Sequence, residues 1–229
     1  MEFCGLVKTS TLDFPGKIAA VLFSPGCNWD CFYCQNRSIL RGGGARLDPS
    51  EVTGFLQRRR GLLEGVVLTG GEATLQRDIV NFARTLKKMG YSVKLDTNGS
   101  RPGVVRDLLK KNLLSYVALD YKAPWGRYPE ICGEAADPKS VIETLSWLLK
   151  AGVRFETRTT AIPQLSEKEL ISMARAIPPV PAFVLQDYRQ PGEYKEEDRF
   201  RVSQKSRGQQ FLAAAAEEIR AYQPGAEVR

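Results

Sequence analysis

The sequence contains no histidine, and this absence removes the commonest general base and the commonest nitrogen ligand of zinc. It also lacks any run of about 18 apolar residues that could span a membrane, and Met1–Ser10 has no apolar signal-peptide core. Cysteines are few: there are five, an odd number, and three of them crowd into one short segment. These features predict a cytoplasmic protein whose thiols serve a metal site rather than disulfides.

Positive residues outnumber negative ones, and the formal net charge is +7. Such a balance could attract nucleic acid or another acidic partner. Arg58–Arg60 is the only tight basic run, with looser groups near Lys110–Lys111 and Arg199–Arg207. Scattered charges of this kind are typical of a solvated surface, so nucleic acid is not favoured and a basic docking surface is the alternative. The length of 229 residues predicts a single domain spanning 1–229.

Short apolar segments rich in β-branched residues alternate with amphipathic segments, which predicts six successive β-α units. The predicted strands are Ile18–Phe23, Gly65–Leu68, Ser92–Asp96, Tyr116–Asp120, Arg154–Thr160 and Phe183–Gln186. The predicted helices are Pro49–Leu63, Arg77–Met89, Val104–Lys111, Pro138–Lys150, Glu167–Ala176 and Ser206–Ala221. Six units are too few for a closed eight-stranded barrel. The pattern therefore predicts an α/β fold, either a three-quarter barrel that is open on one side or a doubly wound open sheet.

Chemically distinctive residues follow the carboxyl ends of the predicted strands, where both architectures place functional sites. They are Cys27, Gly70-Gly71-Glu72, Asp96-Thr97-Asn98-Gly99, Asp120-Tyr121-Lys122, Arg158 and Asp187-Tyr188-Arg189. We expect them to form one site. Two polar segments, Gly42–Gly44 and Gln190–Arg207, are predicted to be mobile loops, and the second could act as a lid or a docking surface.

Cys27, Cys31 and Cys34 have the spacing C-x3-C-x2-C on a loop that leaves the first predicted strand. Thiolates suit iron–sulfur clusters or zinc. A structural zinc site would need a fourth ligand, and none is supplied nearby, because Cys4 and Cys132 stand apart in the sequence. The spacing therefore favours an iron–sulfur cluster that leaves one iron free to bind a small molecule. Free structural cysteines are the other alternative.

The segment Cys27–Cys34, with the aromatic Tyr33 before its last cysteine, resembles the C-x3-C-x-φ-C motif of the radical S-adenosylmethionine superfamily. The resemblance implies a partial (βα)6 TIM-like barrel, open on one side, and a [4Fe–4S] cluster on the three cysteines. It also implies reductive cleavage of S-adenosylmethionine to methionine and a 5′-deoxyadenosyl radical. Tyr33 is also expected to contact the cofactor. Tyr33 and Phe32 would shield the cluster from water, or simply pack in the core.

Leu68–Ala73 resembles the GGE motif of the same superfamily, in which Gly70, Gly71 and Glu72 engage the methionyl ammonium group. Glycine allows close approach because it has no Cβ. Outside this context, the same three residues would be an ordinary strand-to-helix turn.

Leu95–Gly99 and Leu119–Lys122 resemble the LDTNG and LDxK segments of the glycyl-radical-enzyme activases. The resemblance implies a monovalent cation on Asp96, Thr97 and Asp120, and cofactor contacts from Asp96, Asn98 and Lys122. It further implies that Arg158 contacts the carboxylate of S-adenosylmethionine. The alternatives are a simple turn at Asp96–Gly99, a local ion pair between Asp120 and Lys122, and a structural salt bridge at Arg158.

The opening Gly5–Lys17 is most similar to the activators of anaerobic ribonucleoside-triphosphate reductase, and Asp13, Pro15 and Gly16 resemble a DGPG-like turn near the cluster. This resemblance implies an anaerobic activating enzyme that forms a glycyl radical on a partner reductase. The sequence departs from related activases at Arg189, where the pyruvate formate-lyase activases have histidine, and at Gln35-Asn36.

Cys4 and Cys132 are too few to hold a second cluster, so electrons are expected from a flavodoxin or a ferredoxin. An alternative function is that of a small-molecule radical S-adenosylmethionine enzyme resembling 7-carboxy-7-deazaguanine synthase. A non-catalytic iron–sulfur or zinc module is a third class, and it predicts no turnover of S-adenosylmethionine.

Overall fold

In a computed structural model that describes residues 1–41 and 43–229, eight strands form one sheet in chain order. They are β1 Gly5–Ser10, β2 Ala19–Ser24, β3 Gly65–Gly70, β4 Ser92–Thr97, β5 Tyr116–Asp120, β6 Arg154–Ala161, β7 Phe183–Asp187 and β8 Ala226–Val228. Strand β1 is antiparallel to β2, and all later neighbours are parallel. Strands β1 and β8 are the two edges, so the sheet is open. This arrangement confirms the predicted α/β partial barrel.

The six predicted strands correspond to β2 through β7, with ends that differ by no more than a few residues. The sequence analysis missed the two edge strands. Strand β1 contains exposed, polar Lys8 and Thr9, which break the apolar pattern. Strand β8 has only three residues, too short for a period of two to be recognised.

Helices follow the strands as the alternation predicted. In the described part of the chain they are α1 Arg37–Leu40, α2 Pro49–Arg58, α3 Ile79–Lys88, α4 Pro102–Lys110, α5 Tyr128–Cys132, α6 Pro138–Ala151, α7 Glu167–Arg175, α8 Arg199–Val202 and α9 Gly208–Ile219. The six predicted helices correspond to α2, α3, α4, α6, α7 and α9. Helix α2 ends five residues earlier than predicted, because the chain turns at Gly61 with a φ of +80°. The short helices α1, α5 and α8 were missed.

Alternate residues of the strands face two different layers. On the outer face, Val66 and Leu68 of β3 join the large core under the helices. On the inner face, Val67 and Tyr116 pack in a smaller cluster with Phe14. The inner face becomes polar toward the carboxyl ends of the strands, where the predicted site lies.

The Asp13–Gly16 turn lies at the amino ends of the strands, which corrects the prediction that it lies near the cluster. Phe14 packs against Ala19 and Tyr116, the first residues of β2 and β5. A Cβ added to Gly65, the first residue of β3, would lie 2.8 Å from the Phe14 ring. The turn therefore closes the end of the barrel opposite the cysteines.

The segment Gln190–Arg207 is not an unstructured loop. It contains a 3-10 turn, Glu196–Asp198, followed by α8, and Tyr188 Oη donates a 2.7 Å hydrogen bond to the carbonyl of Val202. In the other predicted loop, Gly42 lies outside the described residues. No helix in the described ranges combines the length and the apolarity needed to cross a membrane.

Candidate active site

The three predicted cluster cysteines lie on the loop between β2 and α1. Cys31 is buried, while Cys27 and Cys34 are half-buried, and Cys31 is close enough to act electrostatically on both. The amide of Cys27 donates to the carbonyl of Leu40 at 3.0 Å, and Cys34 N donates to Cys31 O at 3.1 Å. These backbone hydrogen bonds hold the loop as one compact unit.

The surroundings of the three cysteine thiols raise the pKa of each. Burial raises the pKa of Cys27 to about 12 and also raises the pKa of Cys34. The hydrogen-bonding neighbour Cys132, followed by burial, raises the pKa of Cys31 well above its ordinary value. Metal must therefore displace protons from these thiols when it binds.

Cys132 lies beside Cys31, although the two are far apart in the sequence. The carbonyl of Cys132, on α5, accepts a 2.9 Å hydrogen bond from the amide of Asp30 in the cysteine loop. Cys132 itself is fully buried. No spacing signal in the sequence connects it with the other three cysteines, so only the tertiary structure could place it there.

Gly70 and Gly71 allow the end of β3 to approach the cysteine loop. A Cβ at Gly71 would lie 2.0 Å from the carbonyl oxygen of Gly26, and a Cβ at Gly70 would lie 2.4 Å from the amide nitrogen of Ser24. Gly70 also has a φ of +118°, which side-chain-bearing residues rarely adopt. The close neighbour that requires glycine is the last residue of β2 at Gly70 and the backbone of the cysteine loop at Gly71.

Glu72 joins the ends of β3 and β4. Its Oε1 accepts from Thr74 N at 3.0 Å and Thr97 Oγ1 at 2.9 Å, and its Oε2 accepts from Asn98 N at 2.7 Å. The side chain is 1% exposed, and burial raises its pKa even though these hydrogen bonds act in the opposite direction. Because Oε2 has a single donor, it can still accept another from a ligand.

Asn98 connects β4 with the cysteine loop. Its Nδ2 lies 3.2 Å from Asn28 Oδ1 and 3.7 Å from Cys27 Sγ. On the other side of the loop, Asn36 Nδ2 donates to the carbonyl of Gly70 at 2.8 Å. The residues predicted from two separate motifs are thus brought together around the first cysteine.

A chain of charged groups crosses the inner face from β4 to β6. Arg158 donates to Asp96 at 3.1 Å and to Asp120 at 2.9 Å, while Lys94 and Lys122 each lie 3.0 Å from one of these carboxylates. Burial alone would raise the pKa of Asp120, but Lys122 and Arg158 lower it overall. The sequence analysis missed Lys94, since it stands within an apolar strand pattern.

Tyr33 presents an unpaired polar group at the site. It is 6% exposed, its ring packs edge-on against Phe32, and Lys122 Nζ lies 5.9 Å from the ring centroid. Its hydroxyl has no hydrogen-bond partner in the described part of the chain. An unpaired buried hydroxyl is costly, so it fits a position that a bound ligand completes.

Arg189–Val202, which we term the cover segment, packs on the cysteine loop. Lys195 Nζ lies 2.7 Å from Asp30, and the Arg201 guanidinium lies 3.8 Å from the ring centroid of Phe32. Arg189 is exposed and contacts the loop through its backbone carbonyl, which accepts from Gln35 at 2.6 Å. A cavity of about 530 Å³ opens between Cys27 and the cover segment.

The donor set fits a cluster better than a single ion. Within residues 1–41 and 43–229, no three carboxylate or thiol side chains converge closely enough to hold one metal ion. A cubane takes one thiolate on each iron, so its ligands need not meet at a point. Three thiols on one loop therefore suit a [4Fe–4S] cluster.

Comparison with protein families gives the class. Residues 21–177 match the model of the radical SAM superfamily, and the chain belongs to that superfamily. Members use a [4Fe–4S] cluster and S-adenosylmethionine, and these are the cofactors of this chain. The assignment confirms the class of enzyme that the cysteine motif predicted.

Individual relatives differ in how much of their length is matched. The chain is 32% identical over 199 residues, 84% of its length and 82% of the relative, to a "Putative glycyl-radical enzyme activating enzyme" of Methanocaldococcus jannaschii. It is 35% identical over 86 residues, 37% of the chain and 27% of the relative, to a "Probable GTP 3′,8-cyclase" of Pyrococcus horikoshii. It is 40% identical over 80 residues, 34% of the chain and 32% of the relative, to a 7-carboxy-7-deazaguanine synthase of Methanospirillum hungatei.

Solved structures support the fold. SuiB of Streptococcus suis, bound to S-adenosylmethionine, superimposes with a TM-score of 0.68 at 15% identity. The match covers 91% of this chain and 51% of SuiB, so this chain spans about half of that larger protein. At this identity the likeness establishes the shared barrel architecture alone.

Proposed function

We propose that this radical SAM enzyme activates a glycyl-radical enzyme, by removing hydrogen from a glycine Cα in a partner protein. The observation that carries the proposal is the match over 82% of the Methanocaldococcus jannaschii relative. The matches to the cyclase and the deazaguanine synthase cover 27% and 32% of those proteins. A short match of that kind is expected from the common cluster-binding core, whereas a match along most of both chains extends to the parts that distinguish one branch from another.

The proposed partner is an anaerobic ribonucleoside-triphosphate reductase. The proposal depends on the similarity of Gly5–Lys17 to activators of that reductase. The open sheet supports a macromolecular substrate, because β1 and β8 are not paired with each other and a sheet that does not close could admit a peptide loop. A flavodoxin or ferredoxin is the proposed electron donor, since Cys4 and Cys132 cannot by themselves hold a second cluster.

Each residue of the site has a proposed task. When bound, the cluster and S-adenosylmethionine together supply an electron and a 5′-deoxyadenosyl radical for hydrogen abstraction. Cys27, Cys31 and Cys34 would hold three irons of the cluster and leave the fourth free for the cofactor. Asn98 supports Cys27 through its 3.7 Å contact, and the unpaired hydroxyl of Tyr33 would form a hydrogen bond with the bound cofactor.

The glycines and charged groups have supporting tasks. Gly70 and Gly71 bring the end of β3 against the cysteine loop, where Glu72 retains one free acceptor position for the ammonium group of the cofactor. Lys122 lies between Asp120 and Tyr33, where its positive charge suits the cofactor carboxylate. Arg158 bridges Asp96 and Asp120, and its positive charge offsets part of their negative charge.

The test is electron paramagnetic resonance after anaerobic mixing of the reduced holoenzyme, S-adenosylmethionine and a candidate reductase. One sample of the reductase carries deuterium at glycine Cα. We expect a glycyl doublet that narrows with the label, and deuterium in the 5′-deoxyadenosine product. An unlabelled reductase with its radical-bearing glycine replaced by alanine is the matched control, and it should give no doublet.

A small-molecule reaction is the second candidate function, and the 40% identity to a 7-carboxy-7-deazaguanine synthase over 80 residues favours it. In that case no tested glycyl-radical enzyme gives the doublet, while a purine-like heterocycle accelerates cofactor cleavage. That pair of results would replace the activase proposal.

A further inference from the structure

Asp96 and Asp120, the two carboxylates expected to hold a monovalent cation, are already paired with positive side chains. Asp96 Oδ1 lies 3.0 Å from Lys94 Nζ, and Asp96 Oδ2 lies 3.1 Å from Arg158. Asp120 Oδ1 lies 2.9 Å from Arg158, and Asp120 Oδ2 lies 3.0 Å from Lys122. All four carboxylate oxygens therefore have a cationic neighbour, and a further cation there would be repelled at close range.

Thr97, the third expected ligand, does not complete a cation site either. Its Oγ1 donates to Glu72 at 2.9 Å and accepts from Gly99 N at 3.1 Å. A hydroxyl engaged in this way is turned toward the end of β3. The three residues predicted to bind a monovalent cation do not fit one in this structure.

Lys94 places a positive charge beside Asp96, where the cation was expected. Its side chain is 3% exposed, and its Nζ donates to the carbonyl of Asp13 at 2.6 Å and lies 5.8 Å from the Tyr116 ring centroid. Lys94 and Asp96 form an ion pair but not a hydrogen bond, because the geometry at Asp96 Oδ1 is not that of a hydrogen bond. A carbonyl, a carboxylate and an aromatic face together surround a buried positive charge.

The charge balance also suits an anionic ligand. Lys94, Lys122 and Arg158 supply three positive charges against the two negative charges of Asp96 and Asp120. Buried Glu156 also acts on Arg158, but its charge is balanced by Arg229 at 2.8 Å. One positive charge is left for the carboxylate of S-adenosylmethionine. Because buried charges are costly unless paired, the balance is complete only when that carboxylate is present.

We propose that Lys94, together with Arg158, replaces the monovalent cation, so that this enzyme binds S-adenosylmethionine without any alkali metal ion. Lys94 acts as a positioning residue: it neutralises Asp96 and leaves Arg158 correctly placed. The proposal depends on S-adenosylmethionine binding at these strand ends. It is independent of the partner, so its failure and that of the activase proposal are separate results.

The first test uses the wild-type holoenzyme with its reconstituted cluster. The affinity for S-adenosylmethionine is measured anaerobically by titration calorimetry in tetramethylammonium, sodium or potassium chloride at equal ionic strength. The electron paramagnetic resonance signal of the reduced cluster gives a second readout of cofactor binding. We expect affinities within about twofold of one another, a free-energy difference below about 0.5 kcal/mol. A gain of about tenfold or more with sodium or potassium overturns the proposal.

The second test uses Lys94→Gln, which removes the charge, and Lys94→Arg, which keeps it. In tetramethylammonium, Lys94→Gln should bind S-adenosylmethionine about tenfold more weakly, and potassium or sodium should restore most of the loss. Lys94→Arg should remain indifferent to the cation. Lys88→Gln, at an exposed position of α3, is the matched control and should behave as wild type.

Two outcomes for Lys94→Gln contradict the proposal: wild-type affinity in tetramethylammonium, or a loss that no cation restores. The second outcome would assign Lys94 a purely structural role. If the variant does not fold or does not retain its cluster, the wild-type cation series decides the matter alone.

Discussion

Single side chains at this site each connect two elements. Asn98 reaches from β4 to Cys27, Glu72 holds Asn98 and Thr97 from the end of β3, and Arg158 joins β4 to β5. A residue that connects elements in this way can change a function without touching the reacting atoms. A variant at such a residue must therefore be tested separately for cluster content, cofactor affinity and stability.

The first prediction concerns iron. Anaerobically reconstituted protein should bind about four irons per chain, and replacing Cys27, Cys31 or Cys34 with alanine should abolish this binding. Cys4→Ala and Cys132→Ala should both retain the iron. Cys132 is a neighbour of Cys31, but it lies on α5 and is not one of the three cysteines of the motif. Iron and acid-labile sulfide analysis measures the outcome. Iron content that depended on Cys4 or Cys132 would falsify the ligand assignment.

The second prediction concerns Glu72. Glu72→Ala leaves Thr97 Oγ1 and the amides of Thr74 and Asn98 without their acceptor, so stability should fall by about 1–3 kcal/mol. Affinity for S-adenosylmethionine per cluster should fall more than cluster content does. Calorimetry and iron analysis on the same sample separate the two effects. Loss of the cluster at unchanged affinity would contradict the role proposed for Glu72.

At the scale of elements, the site is a junction between the cysteine loop, the end of β3 and the cover segment. The loop backbone lies against Gly71, and the cover segment packs on the loop through Lys195 and Arg201. The loop is held between these two elements, because it has little regular structure of its own. Substitutions on either side should therefore loosen it.

The third prediction compares two glycines. Gly71→Ala forces a Cβ into the carbonyl of Gly26, so the free energy of unfolding should fall by about 1–3 kcal/mol. The variant should therefore unfold at a lower temperature and lose cluster content. Gly103→Ala, in α4, meets open space and should be neutral or slightly stabilising. Thermal unfolding and iron content of both variants provide the comparison. Equal stability of the two variants would show that the approach at Gly71 is not tight.

The fourth prediction compares two arginines of the cover segment. Arg201→Ala removes the cation–π contact with Phe32 and a 3.1 Å hydrogen bond to the carbonyl of Glu130. The cluster should then be lost faster on exposure to air, by about twofold to tenfold. Arg199→Ala is the control, because Arg199 is 64% exposed and its ion pair is with Glu196, which is also exposed. Bleaching of the cluster absorbance measures both rates, and equal rates would contradict a protective role.

At the scale of the whole molecule, the fold combines an open sheet with a net charge of +7. The fifth prediction is that added salt slows activation of an acidic protein partner, because exposed charges are screened over about 8 Å at physiological ionic strength. The rate of glycyl radical formation measures this effect. Cleavage of S-adenosylmethionine without a partner is the internal control and should change little. A salt-independent activation rate would indicate that docking does not depend on charge.

The fold class and the cluster motif could both be predicted from the sequence. Strand periodicity predicted β2 through β7, and the spacing of Cys27, Cys31 and Cys34 indicated the superfamily. Both signals are local: one depends on side chains two residues apart, the other on ligands within a single loop. The edge strands β1 and β8 lacked such a pattern.

The contacts between residues far apart in the chain could not be predicted and became visible in the folded structure. It placed Cys132 beside Cys31, paired Lys94 with Asp96, and packed Arg201 on Phe32. These contacts depend on how the strands align in the sheet and how the loops pack on it, and chain spacing does not encode either arrangement. Neighbouring charges decide whether a carboxylate pair binds a metal ion or a protein side chain, so the cation prediction required the folded arrangement.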